Sequence, residues 1–297
     1  MHLTRAARVS AGAVGQLVGV RRSTPAARLV DLSVAEPTRQ ALIRLVGWTR
    51  NRSKVSQQHR FLTASGSPHG VAALFTGPPG TGKTFAAHAI AAELGVELLT
   101  VDLSAVVDKY IGETQKNLEK VFHAAEILGA VLFFDEADAL FGSRSQVNDA
   151  RDKYANQETA WLLQRMEAFD GLAVLATNLR ANLDRAFTRR LSFVIIFDPP
   201  DPALRKQLWT RYLQDAQPQD RSDPVDIVLL AEHADLTGGE IKNVVLSAVH
   251  AALLADAPLG MGHVLTATAQ EFDKLGRRLP ALLSTTGTGR PEMRDSQ

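Results

Sequence analysis

The sequence predicts a three-layer α/β sandwich around a five-stranded parallel sheet, followed by a small all-α domain. Two observations carry that reading. Short continuous apolar runs stand at Val71–Phe75, Val96–Val101, Val131–Phe134, Leu172–Ala176 and Phe193–Phe197, and strands buried on both faces read as unbroken runs rather than alternating ones. Helical periodicity separates them, as where Leu118, Val121, Phe122 and Ala125 recur at i, i+3, i+4 and i+7. Strand alternating with helix is the pattern of a parallel sheet covered on both faces.

The elements follow in order. Residues 1–30 hold Arg5, Arg8, Arg21, Arg22 and Arg28 with no acidic residue, and read as a loose basic N-terminal arm; an organelle transit peptide has the same composition. Residues 31–66 read as a helical linker, with Leu42, Leu45 and Val46 on one face and Arg44 and Arg50 turned outward. Gly66, Ser67 and Pro68 punctuate its end. Residues 67–200 then carry the five strands of the large α/β domain. Strand signals stop after Pro199 and Pro200, and residues 201–283 read as a helical domain of four segments near Pro202–Asp215, Val225–His233, Gly239–Ala255 and Gly262–Gly276. Residues 284–297, with Gly287, Gly289 and Pro291, read as a frayed tail.

Composition excludes several classes. The chain has 297 residues, 33 Lys plus Arg against 32 Asp plus Glu, and no cysteine. Disulfides, thiolate metal sites and cysteine nucleophiles are therefore ruled out together. No apolar run approaches the ~18 residues of a membrane-spanning helix, and without a secretory signal the cytoplasm is the default location. The net charge of +1 argues against a surface built wholly for nucleic acid, although the arm carries a local excess of positive charge.

The strongest chemical signal is Gly77-Pro78-Pro79-Gly80-Thr81-Gly82-Lys83-Thr84, a full G-x-x-x-x-G-K-[ST] directly after one predicted strand and before the helical run from Phe85. Glycines let successive backbone N–H groups wrap a phosphate, Lys83 reaches the β/γ oxygens, and the Thr84 hydroxyl ligates Mg²⁺. The helix that begins there points its positive end at the same anion. Average composition yields this pattern by chance in roughly one chain of this length in a hundred, and the strand-before, helix-after context lowers that further. The sandwich is thereby specified as a P-loop nucleoside-triphosphatase fold.

Val131–Phe134 ends in Asp135-Glu136-Ala137-Asp138, which places acids at the carboxyl edge of a buried strand, where α/β sheets bind ligands. Asp135 suits the Mg²⁺ shell and Glu136 suits positioning the attacking water; an Asp after a strand also caps helices, a reading that loses weight beside a phosphate loop. Leu172–Ala176 ends in Thr177-Asn178, and Asn178 suits a hydrogen bond to the γ-phosphate or to the water. Before the last strand stand Arg189 and Arg190. Adjacent arginines are most often solvated; here either suits the part of an arginine finger, supplying charge to a transition state.

Together these segments resemble the AAA family of hexameric ATPases, a branch of the AAA+ superfamily. GPPGTGKT resembles its Walker A, FFDEAD its Walker B, ATN its sensor strand, and Leu183-Asp184 through Arg189-Arg190 its second region of homology. Leu236-Thr237-Gly238-Gly239-Glu240-Ile241 is similar to the start of its lid helix, which implies that Gly239 lies beside the adenosine. The resemblance also gives meaning to Tyr110-Ile111-Gly112, matching the aromatic-hydrophobic-Gly trio that in the family projects into a central pore and grips a translocating polypeptide; the alternative is a tyrosine packed on the core. One departure stands out, because the family commonly has Pro-Gly between its two finger arginines and here they are adjacent. The wording around Tyr110 and the Walker B also resembles the ATPases found with bacterial extracellular contractile injection systems.

The resemblance implies ATP and Mg²⁺ as cofactors, a homo-oligomer, in the family a hexamer, and a protein substrate rather than nucleic acid or a membrane. Two other readings stand beside this motor: a nucleic-acid-dependent loader using the basic arm, and an ATP-binding scaffold with low turnover.

Overall fold

The structure, a computed structural model, describes residues 19–58, 70–103, 113–138, 150–179, 188–216 and 220–285. It divides into two compact units, one running to Asp198 and one from Pro199 onward, with the turn Pro79–Thr81 belonging to the second.

The first unit holds strands β1 (Val20–Ser23), β2 (Val71–Thr76), β3 (Leu98–Asp102), β4 (Val131–Asp135), β5 (Leu172–Thr177) and β6 (Phe193–Ile196). Its helices are α1 (Glu36–Gln58), α2 (Lys83–Leu94), α3 (Glu113–Leu128) and α4 (Ala150–Ala168). The strand order is β1-β3-β4-β5-β2-β6. The five predicted strands are all present and parallel to one another. Every residue of β2 and β5 is buried, as unbroken apolar runs require. The core lies on both faces of the sheet: Phe122, Phe134 and Phe169 on one side, Phe75, Phe133 and Phe197 on the other, all at most 1% exposed. Truncating any one of them to Ala would cost about 3–5 kcal/mol. Leu42 and Leu45 of α1 join the second layer as their spacing predicts.

Two departures from the sequence reading have local causes. β3 starts at Leu98 rather than Val96 because the Val96 and Gly95 amides close the end of α2, donating to Ala91 O and Ala92 O at 3.0 Å each, a Schellman-type stop with Gly95 at φ +71. The sheet also gains a sixth strand, the antiparallel β1, from the segment read as a basic arm. Its register runs from Val20↔Val101 to Ser23↔Leu98. Arg22 clamps it with a bidentate pair to Glu97, Nε to Oε2 at 2.9 Å and Nη2 to Oε1 at 2.7 Å. An edge strand needs no apolar run, and charge on it guards the free edge against pairing with other chains, so apolar patterning could not reveal it.

From β1 the chain reaches a short 3₁₀ turn at Leu29–Asp31. Arg39 at the start of α1 holds that crossing, donating to Leu29 O at 2.9 Å and Leu32 O at 2.5 Å. Thr38 donates to Ile196 O at 2.8 Å, fixing α1 beside β6.

The second unit is helical: α5 (Pro202–Gln214), α6 (Ile227–His233), α7 (Gly238–Leu254), α8 (Met261–Lys274) and a short α9 (Ala281–Thr285). Asp201 caps α5 by accepting from Leu204 N at 2.8 Å, with Pro202 at the first helical position. The unit closes around Trp209, Leu230, Ile241, Ala248 and Val264, each at most about a hundredth exposed. Buried Arg205 is satisfied by Ala231 O, Pro200 O and the Asp235 carboxylate at 2.8–3.0 Å. No helix among the described residues is long and apolar enough to cross a membrane.

Candidate functional site

The carboxyl ends of β2, β4 and β5 meet at one edge of the sheet, and the predicted phosphate loop leaves from β2. Gly77 turns the chain with φ +153, and a Cβ there would stand 2.0 Å from Phe197 O, so backbone occupies the space a side chain would need. Gly80 lies in the left-handed region at φ +77. α2 then begins at Lys83 with Gly82 as N-cap and no side chain capping its first turn, which leaves backbone N–H groups free to meet an anion.

Lys83 is 8% exposed, and its ammonium donates to three oxygens: Gly77 O at 2.6 Å, Pro78 O at 2.9 Å and Asn178 Oδ1 at 2.9 Å. Burial pulls its pKa below the ordinary lysine value, against the opposing pull of Asp135 and Asp138. One residue on, the Thr84 hydroxyl donates to Asp135 Oδ2 at 3.2 Å. A hydroxyl and a carboxylate side by side are the oxygen donors that Mg²⁺ prefers, so this pair fits that ion as the glycine cradle and buried ammonium fit a polyphosphate.

Glu136 follows with φ +53, uncommon for any residue but glycine, and its N–H is held by Asp135 Oδ1 at 3.0 Å. This turn leaves the Glu136 side chain exposed at the edge, while Ala137 N donates to Ala176 O at 2.9 Å and ties the turn to β5. Such left-handed residues cost about 1–3 kcal/mol and persist where the surroundings dictate them. Sequence reasoning carried no sign of it.

Lys83, Thr84, Asp135, Glu136 and Asn178 are thus gathered at one edge. Arg189 and Arg190 are not; they are exposed on the turn before β6, next to Ser192, whose N–H donates to Ala72 O at 2.8 Å. In the helical unit Gly239 N donates to Gly80 O at 2.9 Å, and a Cβ on Gly239 would stand 3.0 Å from Gly80 Cα. The capping box of α7 places it, with Thr237 N donating to Glu240 Oε2 at 2.6 Å. Tyr110, Ile111 and Gly112 lie outside the described residues.

One residue of this edge escaped the sequence reading. Asp138 Oδ1 accepts from Asn178 N at 2.9 Å and from the Thr177 hydroxyl, and its Oδ2 accepts from Asn178 Nδ2 at 2.9 Å. The available signal was its place two residues beyond Glu136, on the far side of the β4 turn from a strand ending in Thr-Asn.

Residues 73–199 match the family described as "ATPase family associated with various cellular activities (AAA)". Cell division protein C of Sulfolobus acidocaldarius is 31% identical over 239 residues, covering 77% of this chain and 60% of that protein. Proteasome-activating nucleotidase of Aeropyrum pernix is 30% identical over 236 residues, 77% of this chain and 55% of its own. The i-AAA protease supercomplex subunit YME1 of the yeast mitochondrial inner membrane is 33% identical over 204 residues, 66% of this chain and 26% of its own. The chain therefore spans 60% or less of the length of these curated relatives.

Proposed function

Because this chain carries an ATPase domain of the AAA family, we propose that it hydrolyses ATP as a subunit of a homo-oligomeric, hexameric motor that remodels, unfolds or threads a protein substrate through a central pore. The observation that carries the hydrolytic part is the meeting of a buried ammonium, a hydroxyl–carboxylate pair and an exposed carboxylate at one sheet edge, beside a loop in which Gly77 has no room for a Cβ. Relatives named as a proteasome-activating nucleotidase and a protease subunit support a protein substrate.

In this reading Lys83 and the loop amides of Gly77 to Gly82 hold the β- and γ-phosphates, with Pro78 and Pro79 stiffening the turn and Thr81 contributing its amide. Thr84 and Asp135 would hold Mg²⁺, whose charge offsets that developing on the phosphoryl oxygens. Glu136 orients the attacking water and accepts its proton, and Asn178 lines the same water. Gly239 offers a backbone face, bare of side chain, to the adenosine. Arg189 or Arg190, facing solvent, reaches the site of a neighbouring subunit, and Tyr110, Ile111 and Gly112 contact the polypeptide.

The test is Glu136→Gln in the full chain. ATP binding by a fluorescent analogue is retained while turnover falls by about 10²- to 10⁴-fold, the usual worth of a positioned base. Hydrolysis near the wild-type rate in that variant would sink the assignment.

A further inference from the structure

Asp138 holds no place in that scheme, yet its carboxylate takes hydrogen bonds from three donor groups at the edge. It accepts from the Asn178 backbone N–H, from the Asn178 side-chain Nδ2 and from the Thr177 hydroxyl. The Thr177 oxygen in turn accepts from Leu179 N at 3.1 Å, so its single proton is left for Asp138. A carboxylate only accepts and an ammonium only donates. Asn178 lies between one of each, with Nδ2 2.9 Å from Asp138 Oδ2 and Oδ1 2.9 Å from Lys83 Nζ. The amide therefore has one orientation that satisfies both neighbours; turned over, it would set NH₂ against NH₃⁺ and C=O against carboxylate.

We propose that Asp138 is a positioning residue that locks the Asn178 amide with its oxygen toward Lys83, so that Asn178 offers an acceptor on the side where the phosphates and the attacking water would stand. This rests on the ATPase reading above. In that setting an acceptor lines up a proton of the water beside Glu136, whereas a free amide would sample both orientations. Asp138 also joins the two strand ends, since it follows β4 and grips the end of β5; it thereby fixes the distance between the Glu136 turn and Asn178.

The experiment compares Asp138→Asn, Asp138→Ala, Asn178→Ala and the double variant Asp138→Asn/Asn178→Ala in the full chain. Steady-state ATP hydrolysis, ADP-analogue affinity and thermal melting are measured on each. Asp138→Asn keeps the shape but turns one acceptor into a donor facing Nδ2. It should lower kcat by about 10- to 100-fold, the scale of a misplaced reacting group, with KM and ADP affinity within about threefold and an unchanged melt. Added to Asn178→Ala it should cause little further loss, because residues acting as a unit are non-additive. A kcat within about twofold of wild type, losses that multiply in the double variant, or loss of ADP binding or of the cooperative melt in both Asp138 variants would each overturn the proposal. Glu136→Gln run in parallel separates the two readings: turnover that survives there defeats the ATPase assignment, and turnover that collapses there but survives in Asp138→Asn defeats only the role of Asp138.

Discussion

Gly77→Ala tests whether the phosphate loop is held open by backbone packing. The added Cβ would lie 2.0 Å from Phe197 O and 2.9 Å from Phe197 C, against an ordinary carbon–oxygen contact of about 3.3 Å. The loop or the end of β6 must therefore shift by about 1 Å. Phe197 cannot yield freely, since its N–H donates to Thr76 O at 2.8 Å and its ring is buried against Phe75 with centroids 5.1 Å apart. Overpacking costs about 1–3 kcal/mol, and the φ of +153 adds about 1–3 kcal/mol for a residue with a side chain. The lower bound of about 2 kcal/mol corresponds to a fall of about 4–8 °C in apparent Tm for a unit of this size. Gly95→Ala is the control: φ is +71 with nothing within 4 Å of the added carbon, so only the backbone term of about 1–2 kcal/mol remains. Because Gly77 O also accepts from Lys83 at 2.6 Å, Gly77→Ala should weaken ADP-analogue binding as well, and Gly95→Ala should not. Thermal melts and a binding titration on both variants decide it. A Gly77→Ala protein that melts no lower than Gly95→Ala, or that binds ADP as wild type does, refutes the packing argument.

Two further outcomes follow from the geometry. His88 titrates below its ordinary value of 6.5, chiefly through burial and secondarily through Arg21; folding thus favours neutral imidazole, a contribution that is whole above 6.5 and drains away as pH falls through that value toward the folded pKa. Wild type should lose more stability than His88→Gln between about pH 7.5 and 5.5, read as the urea midpoint, and equal losses would contradict this. For the arginines, subunits carrying Arg189→Ala and Arg190→Ala mixed into wild type should depress hydrolysis beyond their fraction, since a finger supplied in trans is worth about 10³- to 10⁵-fold; strictly linear dilution would place the site within one subunit.

Apolar runs made the five parallel strands legible because a strand buried on both faces has no room for polar residues, and the loop from Gly77 to Thr84 was legible because phosphate wrapping demands glycine at fixed offsets. The four longer helices of the second unit were legible to within a few residues from periodicity, while the short α9, Ala281–Thr285, was not. β1 was not, since an edge strand held by an ion pair has no periodic signature. Nor were the left-handed Glu136 and the grip of Asp138 on Asn178, which arise only when the ends of β4 and β5 are brought side by side by residues some 40 apart in the chain.

The pairing of β1 with β3 also sets an order of events during synthesis. Arg22 and Glu97 are separated by 75 positions, so at roughly 5–20 residues per second the ribosome delivers the first strand about 4–15 s before its partner exists. For that interval the segment must remain unpaired without joining a neighbouring chain. Two consecutive arginines in a four-residue strand suit that wait, and the bond that later fastens the sheet's outer edge draws on the same charge that kept it apart.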